Sequence, residues 1–206
     1  MIEHQAKEKV NRSRIASKGR GSGGVKVSFI LRVVVGGALL TAIVPGASPV
    51  AIAQSTSALP SVDLNRFSGS WYEIARLPNK REKGCLADVV DLIALADKVD
   101  RLLLVTSCEA KNDYTDVANA DIRTEKGSGG GKLKVIYLWP FSEKEWILAL
   151  GPNYEWVLLG SPNHKALKVL SRTRTLSTEV LAGLKQKAAS EGYATGKMTM
   201  TLQTGR

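Results

Sequence analysis

Eight stretches of the chain alternate between hydrophobic and polar positions, which is the two-residue period of a strand half-buried in a sheet. They are 71–77, 86–95, 101–108, 116–123, 132–139, 145–150, 154–159 and 166–172. Within the first, Trp71 and Glu73 fall on one face and Arg76 falls on the other. Turn-forming residues separate the stretches, at 97–100, 125–131, 141–144, 151–153 and 161–164. This short, regular spacing predicts an antiparallel sandwich or barrel.

After residue 172 the period changes to that of an α-helix. Val180, Leu184 and Ala188 recur at helical spacing. Ser177 is a suitable N-cap, and Gly192 follows the last turn. A last extended piece, 196–203, would pair at an edge of the sheet. We predict an all-β fold, an eight-stranded antiparallel up-and-down barrel with one C-terminal α-helix packed outside, which is wide enough for one small ligand.

The N-terminal part of the chain has a different composition. Residues 1–53 contain eight Lys and Arg and two Asp and Glu, so they carry +6 of the total net charge of +10. A basic stretch, an apolar run at 33–44 and the small residues at 51–53 follow in the order of a secretory signal. An uncleaved anchor is the alternative, although the run is shorter than the ~20 residues of a spanning helix. We predict a signal peptide at 1–53, a linker at 54–62 and one domain at 63–206.

The composition leaves little material for catalysis or for a metal site. The chain has two cysteines and two histidines, His4 and His164, too few for a thiolate zinc site or a histidine cluster. His164 lies in a Ser-Pro-Asn-His turn, where a solvated role is the simpler interpretation. The segment 127–132, GSGGGK, lacks the first glycine and the final Ser/Thr of a phosphate-binding loop. We predict no catalytic residue, no metal and no cofactor.

The basic residues that remain beyond the leader are scattered along strands and turns. Without the leader the net charge is only +4, and no nucleic-acid-binding motif is present. We therefore predict no nucleic-acid partner. A weak contact with an anionic membrane surface is a better expectation, because Lys80, Arg81 and Lys83 cluster on a segment that would flank the mouth of a barrel.

Several ordered motifs resemble a known family. The stretch 63–78, DLNRFSGSWYEIARLP, resembles the opening Gly-x-Trp motif of the lipocalins in its fullest form. Further matches follow in the family's order, at Gly84-Cys85, 133–135 leading into 139–141, 154–158 and 170–173. The resemblance covers about 63–203, and more narrowly the chain is similar to the bacterial outer-membrane lipocalins that resemble apolipoprotein D.

The resemblance implies structural roles for five residues. Arg172 would lie across the Trp71 ring and close the narrow end of the barrel, in a cation–π contact of about 0.5–2 kcal/mol. Gly69 would allow a tight turn into the first strand. Cys85 would form a disulfide with Cys108. The alternative for the cysteines is a reactive thiol inside the barrel, as in a lipocalin-type isomerase.

The resemblance also implies a small hydrophobic ligand inside the barrel. The candidate lining residues are small or aromatic: Ala75, Ala118, Ala120, Tyr137, Trp139, Trp146, Tyr154 and Trp156. In a plain sandwich the aromatic ones would simply fill the core, and alternation does not decide which face points inward where bulges intervene. Asp91 and Lys168 depart from near relatives, so we expect them to face solvent, to pair, or to meet a polar part of the ligand.

These features together predict an exported lipocalin, periplasmic or associated with the outer membrane. No lipid-modified cysteine is expected at its N-terminus, because no cysteine precedes Cys85. Its expected ligand is a fatty acid, lysophospholipid or similar lipid, for transport, storage or membrane maintenance under stress. We expect a monomer or weak homodimer that is not an enzyme. The alternative is a lipocalin-type enzyme acting on a lipid or isoprenoid.

Overall fold

The computed structural model of the protein describes residues 57–96, 100–111 and 114–205. The predicted signal peptide at 1–53, residues 54–56 of the predicted linker and residues 97–99 of the predicted turn lie outside these residues. The elements are α1 Leu64–Phe67, β1 Gly69–Arg76, β2 Ala87–Leu95, β3 Arg101–Glu109, β4 Tyr114–Thr124, β5 Lys132–Leu138, β6 Phe141–Leu150, β7 Trp156–Gly160, β8 Leu167–Ser171, α2 Thr178–Ser190, a 3₁₀ turn Thr195–Lys197 and β9 Thr199–Met200. No described helix combines the length and the hydropathy needed to span a bilayer.

The strands β1 to β8 form a closed antiparallel barrel. Each strand pairs with the next in sequence, and β1 pairs with both β2 and β8, which closes the sheet. The short strand β9 pairs with Ala75 and Arg76 at the end of β1, beyond the residues of β1 that pair with β2. Closure satisfies the edges that an open sheet would expose. The predicted fold class is confirmed.

Two apolar layers lie on opposite sides of the barrel wall. The inner core is formed by Val62, Phe67, Trp71, Ile93, Leu102, Leu104, Ala120, Ile122, Leu133, Val135, Ile147, Val157, Leu159 and Leu170. The outer layer is formed by Ile74, Leu77, Leu148, Leu158, Leu167, Val169, Leu184, Ala188 and Tyr193. The last three belong to α2 and the segment after it, so the outer layer attaches the helix to the wall. Ser177 caps α2 by accepting a hydrogen bond from the Val180 N–H, as predicted.

One end of the barrel is closed by Trp71 and Arg172. The Arg172 guanidinium lies 3.6 Å from the Trp71 ring centroid and donates hydrogen bonds to four carbonyl oxygens of 66–70. The Trp71 indole N–H donates to the Phe67 carbonyl at 2.8 Å. Gly69 has a φ of +109°, and a Cβ there would meet the Arg172 guanidinium at 3.0 Å. The cation–π contact implied by the family resemblance is therefore present, and a glycine suits the turn before it.

The opposite end, which we call the mouth, carries the loops that join β1 to β2, β5 to β6 and β7 to β8. A disulfide between Cys85 and Cys108 ties the first of these loops to the end of β3, with a Cα–Cα distance of 5.6 Å. The implied pairing is confirmed, and neither sulfur is a free thiol. In the chain-entropy description a loop of this length stabilises the fold by about 3 kcal/mol.

The hairpin between β5 and β6 differs from the sequence prediction. The predicted turn at 141–144 is part of β6, and the chain reverses instead at Trp139 and Pro140, because Leu138 pairs with Phe141. The side chains of 141–144 are all exposed, so this part of the strand lacks the buried alternate positions on which the prediction depends. A proline fits this turn because its nitrogen carries no hydrogen that would need a hydrogen-bond acceptor.

Candidate functional site

The barrel interior changes character between its two ends. Towards the closed end it is lined by the inner core, which is apolar throughout. Nearer the mouth, buried polar and charged side chains replace the apolar ones. Charged groups are rarely fully buried unless they are paired. This mixed interior is therefore the candidate site.

Lys168 lies at the centre of the buried charges. Its ammonium is 3.1 Å from an Asp91 carboxylate oxygen and 3.7 Å from a Glu82 oxygen. The Thr106 hydroxyl donates to the second Asp91 oxygen at 2.5 Å, and Asp91 is only 2% exposed. Burial lowers the pKa of Lys168, but Asp91 and the neighbouring carboxylates outweigh that effect and hold this pKa well above its ordinary value. Of the three outcomes expected for Asp91 and Lys168, the structure shows pairing.

A β-bulge in β1 brings a second cation into the interior. The register with β8 shifts between Glu73 and Ala75, so Arg76 comes to lie on the same face as Glu73 and opposite Lys168. Arg76 forms ion pairs with Glu73 and, at 3.0 Å, with Glu82. The strict alternation predicted for 71–77 put Arg76 on the face opposite Glu73, and that placement is wrong because of the bulge.

Glu73 is fully buried and only half satisfied. One carboxylate oxygen accepts hydrogen bonds from Arg76 and from the Thr201 hydroxyl, the latter at 2.5 Å. The other oxygen has no hydrogen-bond partner among the described residues. Burial, with nearby Glu82 adding to it, raises the pKa of Glu73 from 4.5 to about 7. Burial also raises the pKa of Glu82, but Lys168, Asn79 and Arg76 outweigh that effect, so the net direction is down.

The raised pKa of Glu73 predicts a pH-dependent stability. A carboxyl group whose pKa is higher in the folded state contributes full stability below its unfolded pKa of 4.5 and loses it as pH rises through about 7. We expect the free energy of unfolding to fall by roughly 3 kcal/mol over that window from this group. Urea unfolding of the wild type and of Glu73→Gln, at pH values from 4.5 to about 7, measures this fall in the free energy of unfolding. The variant should lose the part of the pH dependence that Glu73 contributes, whereas Glu179→Gln, exposed on α2, should keep the wild-type dependence. Equal pH dependence in Glu73→Gln and wild type would contradict the prediction.

Two further polar side chains of the interior lie on β5 and β6. Glu145 is opposite Leu133, a residue of the inner core, and burial raises the pKa of its carboxyl group. Burial and the nearby Glu145 likewise raise the pKa of the Tyr137 hydroxyl. Arg81 stacks 3.6 Å from the Tyr137 ring centroid and pairs with Glu143 at 2.5 Å. In the described part of the chain, no group of three His, Cys, Asp or Glu is placed to hold a metal ion.

Three of the predicted lining residues face this interior. Ala118 is opposite Thr106, and Ala120 is opposite Leu104 of the inner core. Tyr137 packs against the inner core. Small side chains at 118 and 120 leave interior volume that larger ones would fill.

The other five predicted lining residues lie elsewhere. Trp146 and Trp156 pack against the outer layer, and Ala75 is opposite Val169 of that layer. Trp139 is 80% exposed at the tip of the β5–β6 hairpin. Tyr154 is at the closed end, where its hydroxyl accepts a hydrogen bond from the Asp63 N–H and Arg66 covers its ring. A ligand inside the barrel would not contact Trp146, Trp156 or Ala75, because the wall intervenes.

Sequence reasoning did not single out Glu73, Glu82 and Glu145 as interior residues. Glu73 had a usable signal, because in the alternation it shares a face with Ala75, which was predicted to line the interior. Glu145 had none, because a glutamate in a strand is ordinarily solvent-facing. His164 lies in its predicted turn, with its ring 4.8 Å from the Tyr193 ring on the helix side of the wall.

A closed eight-stranded antiparallel barrel with one end blocked and a C-terminal helix outside defines a class of β-barrels that enclose one small molecule. The chain belongs to the lipocalin family, because the family model described as a lipocalin-like domain matches residues 62–203. Lipocalins bind small hydrophobic ligands and are in general binding proteins rather than enzymes.

Two curated relatives are similar along most of the domain. Temperature-induced lipocalin-1 of Arabidopsis thaliana is 29% identical over 151 residues, covering 69% of this chain and 80% of that protein. Outer membrane lipoprotein Blc of Escherichia coli (strain K12) is 28% identical over 143 residues, covering 69% of this chain and 80% of that protein.

Solved structures agree on the fold. Insecticyanin from the tobacco hornworm Manduca sexta superposes with a TM-score of 0.58 at 18% identity, covering 72% of this chain and 84% of that one. Apocrustacyanin C2 superposes with a TM-score of 0.56 at 16% identity, covering 69% and 81%. At these identities the likeness concerns the fold alone.

Proposed function

We propose that the protein binds one amphipathic lipid, a fatty acid, lysophospholipid or similar molecule, inside the barrel. The observation that carries the proposal is the two-part interior, in which an apolar inner core adjoins buried charges that are not all satisfied. An acyl chain gains about 0.8 kcal/mol for each methylene buried against the core. A polar head group would meet the side chains around Lys168. A simple hydrocarbon would leave those groups without a partner.

Transport, storage or membrane maintenance under stress is the role we propose for this binding. The similarity to proteins named outer membrane lipoproteins supports an exported location for this chain. The predicted leader at 1–53 supports the same location from the sequence. The ligand would then be carried in the periplasm or at the outer membrane.

Native mass spectrometry of the delipidated full chain tests the binding. Mixed with oleate or with a lysophospholipid, the protein should form one-to-one adducts, and their absence with both lipids would count heavily against the proposal. Ala118→Trp places a large ring in the interior and should abolish the adducts. Ala182→Trp is the matched control, because Ala182 is exposed on α2, and it should bind as wild type does. A thermal unfolding curve shows whether each variant is folded, since overpacking costs about 1–3 kcal/mol.

We further propose that the β5–β6 hairpin touches a membrane surface when lipid is exchanged. Its tip exposes Leu138, Trp139 and Phe141 at 57%, 80% and 73%, beside the mouth of the barrel. Lys80 and Lys83 are exposed on the neighbouring loop between β1 and β2. Apolar side chains flanked by cations match the interface of an anionic bilayer.

The double variant Trp139→Ser/Phe141→Ser should lose most binding to anionic vesicles while keeping its thermal stability, because both side chains are exposed. Vesicle co-sedimentation measures the bound fraction, and neutral vesicles of the same chain composition separate the apolar contribution from the charge contribution. Unchanged sedimentation of the double variant would contradict the proposed contact.

A further inference from the structure

The charges inside the barrel do not balance. Four carboxyl groups face the interior or its mouth-side loop, and two cations lie among them. Glu73, Glu82 and Asp91 are buried and form ion pairs with Arg76 and Lys168, whereas Glu145 is only partly buried. At the rim, Arg81 and Glu143 neutralise each other in an ion pair. The interior therefore has more carboxyl groups than cations, and the pKa values of Glu73 and Glu145 are raised.

Both interior cations are already engaged. The Lys168 ammonium lies between Asp91 and Glu82. The Arg76 guanidinium contacts Glu73 and Glu82, and it also donates to the Thr201 hydroxyl at 3.0 Å. An anionic ligand head would have to displace one of these carboxylates from its cation. That exchange gains no ion pair and leaves a buried carboxylate unpaired, which is costly.

Among the described residues that face the interior, one buried carboxyl oxygen accepts no hydrogen bond. The second Glu73 oxygen is buried without a hydrogen-bond partner in the described chain. Glu73 is opposite Leu170 of the inner core, so its side chain is on the interior face. Glu145 is on the same face, opposite Leu133. Burial raises the pKa of both carboxyl groups, and a nearby positive charge would stabilise their ionised form, which accepts hydrogen bonds. Both groups therefore complement a cationic or hydrogen-bond-donating head rather than an anionic one.

We infer that the site selects its lipid by head-group charge, taking an amphiphile with a cationic or hydrogen-bond-donating head in preference to the free carboxylate of a fatty acid. This inference rests on the proposed lipid binding. Among the lipids proposed above, it favours one whose head carries an ammonium group. The head group would lie beside Glu145 and Glu73, and the chain would extend into the inner core.

Three probes of one chain length test the inference: tetradecylamine, tetradecanol and tetradecanoate. Each is titrated below its critical micelle concentration into the delipidated full chain at neutral pH, by displacement of an uncharged fluorescent probe. We expect the amine to bind at least roughly tenfold more tightly than the carboxylate, since charges in a partly buried site interact more strongly than in water. The alcohol should lie between them.

Glu145→Gln should narrow the difference between amine and carboxylate while leaving alcohol binding unchanged. Glu179→Gln changes the net charge equally at an exposed position of α2 and should leave the difference as in wild type. Glu73→Gln provides a second reading if Glu145→Gln does not fold. Equal binding of amine and carboxylate, or a difference that neither interior variant narrows, would overturn the inference. Failure of all three probes, the alcohol included, would instead argue against lipid binding itself.

Discussion

Lys168→Met is expected to lower the free energy of unfolding by about 3–5 kcal/mol, the usual range for removing one partner of a buried ion pair. The methionine has nearly the same length, so the loss comes from the charge rather than from packing. Asp91 and Glu82 would both lose the ammonium that lies 3.1 and 3.7 Å from their carboxylate oxygens. Guanidinium unfolding, followed by far-ultraviolet circular dichroism, measures the change.

Lys165→Met is the matched control for that experiment. Lys165 is exposed in the loop between β7 and β8, so the same substitution there should change stability by less than about 0.5 kcal/mol. The double variant Lys168→Met/Asp91→Asn should recover part of the loss, because it removes one unpaired carboxylate. Equal stability of the Lys168 and Lys165 variants would show that the interior pair does not hold the fold together.

The elements of the barrel are predictable from the sequence because their signals are local. Alternation over a few residues defines each strand, and turn-forming residues define its ends. The helix likewise follows from the spacing of Leu184 and Ala188 and from the Ser177 cap. Closure of the sheet is not local, and the prediction of it drew on the family resemblance as well as on the number of strands.

The interior was harder to predict, because it depends on which face of each strand points inward. Bulges shift that face: one in β1 brings Arg76 beside Glu73, and another between Ile147 and Ala149 interrupts the pairing of β6 with β7. Trp146 and Trp156 are aromatic and partly buried, but their burial is against the outer layer. Composition does not distinguish the two sides of a wall when both are apolar.

Charge was the better guide to the site. Asp91 and Lys168 stood out because an interior charge needs a partner, and the structure shows that they pair with each other from β2 and β8, the two strands that flank β1. Glu145 gave no such signal, since its neighbours Glu143 and Lys144 make it one of a polar run. The position of Glu145 on the interior face follows from the register of β6 with β5. Sequence periodicity did not define that register, because the turn between the two strands was predicted at 141–144 rather than at Trp139 and Pro140.

Trp71→Ala should destabilise the protein by about 3–5 kcal/mol, whereas Trp139→Ala should change stability by less than about 0.5 kcal/mol. The two substitutions remove the same side chain, but Trp71 is fully buried at the closed end and Trp139 is 80% exposed at the hairpin tip. Loss of the Trp71 ring also removes the surface on which the Arg172 guanidinium rests, 3.6 Å away. Guanidinium unfolding compares the two variants. A loss in Trp71→Ala as small as that expected for Trp139→Ala would mean that the closed end does not depend on this ring, and that Arg172 closes it through its hydrogen bonds to the carbonyls of 66–70 and of Tyr154.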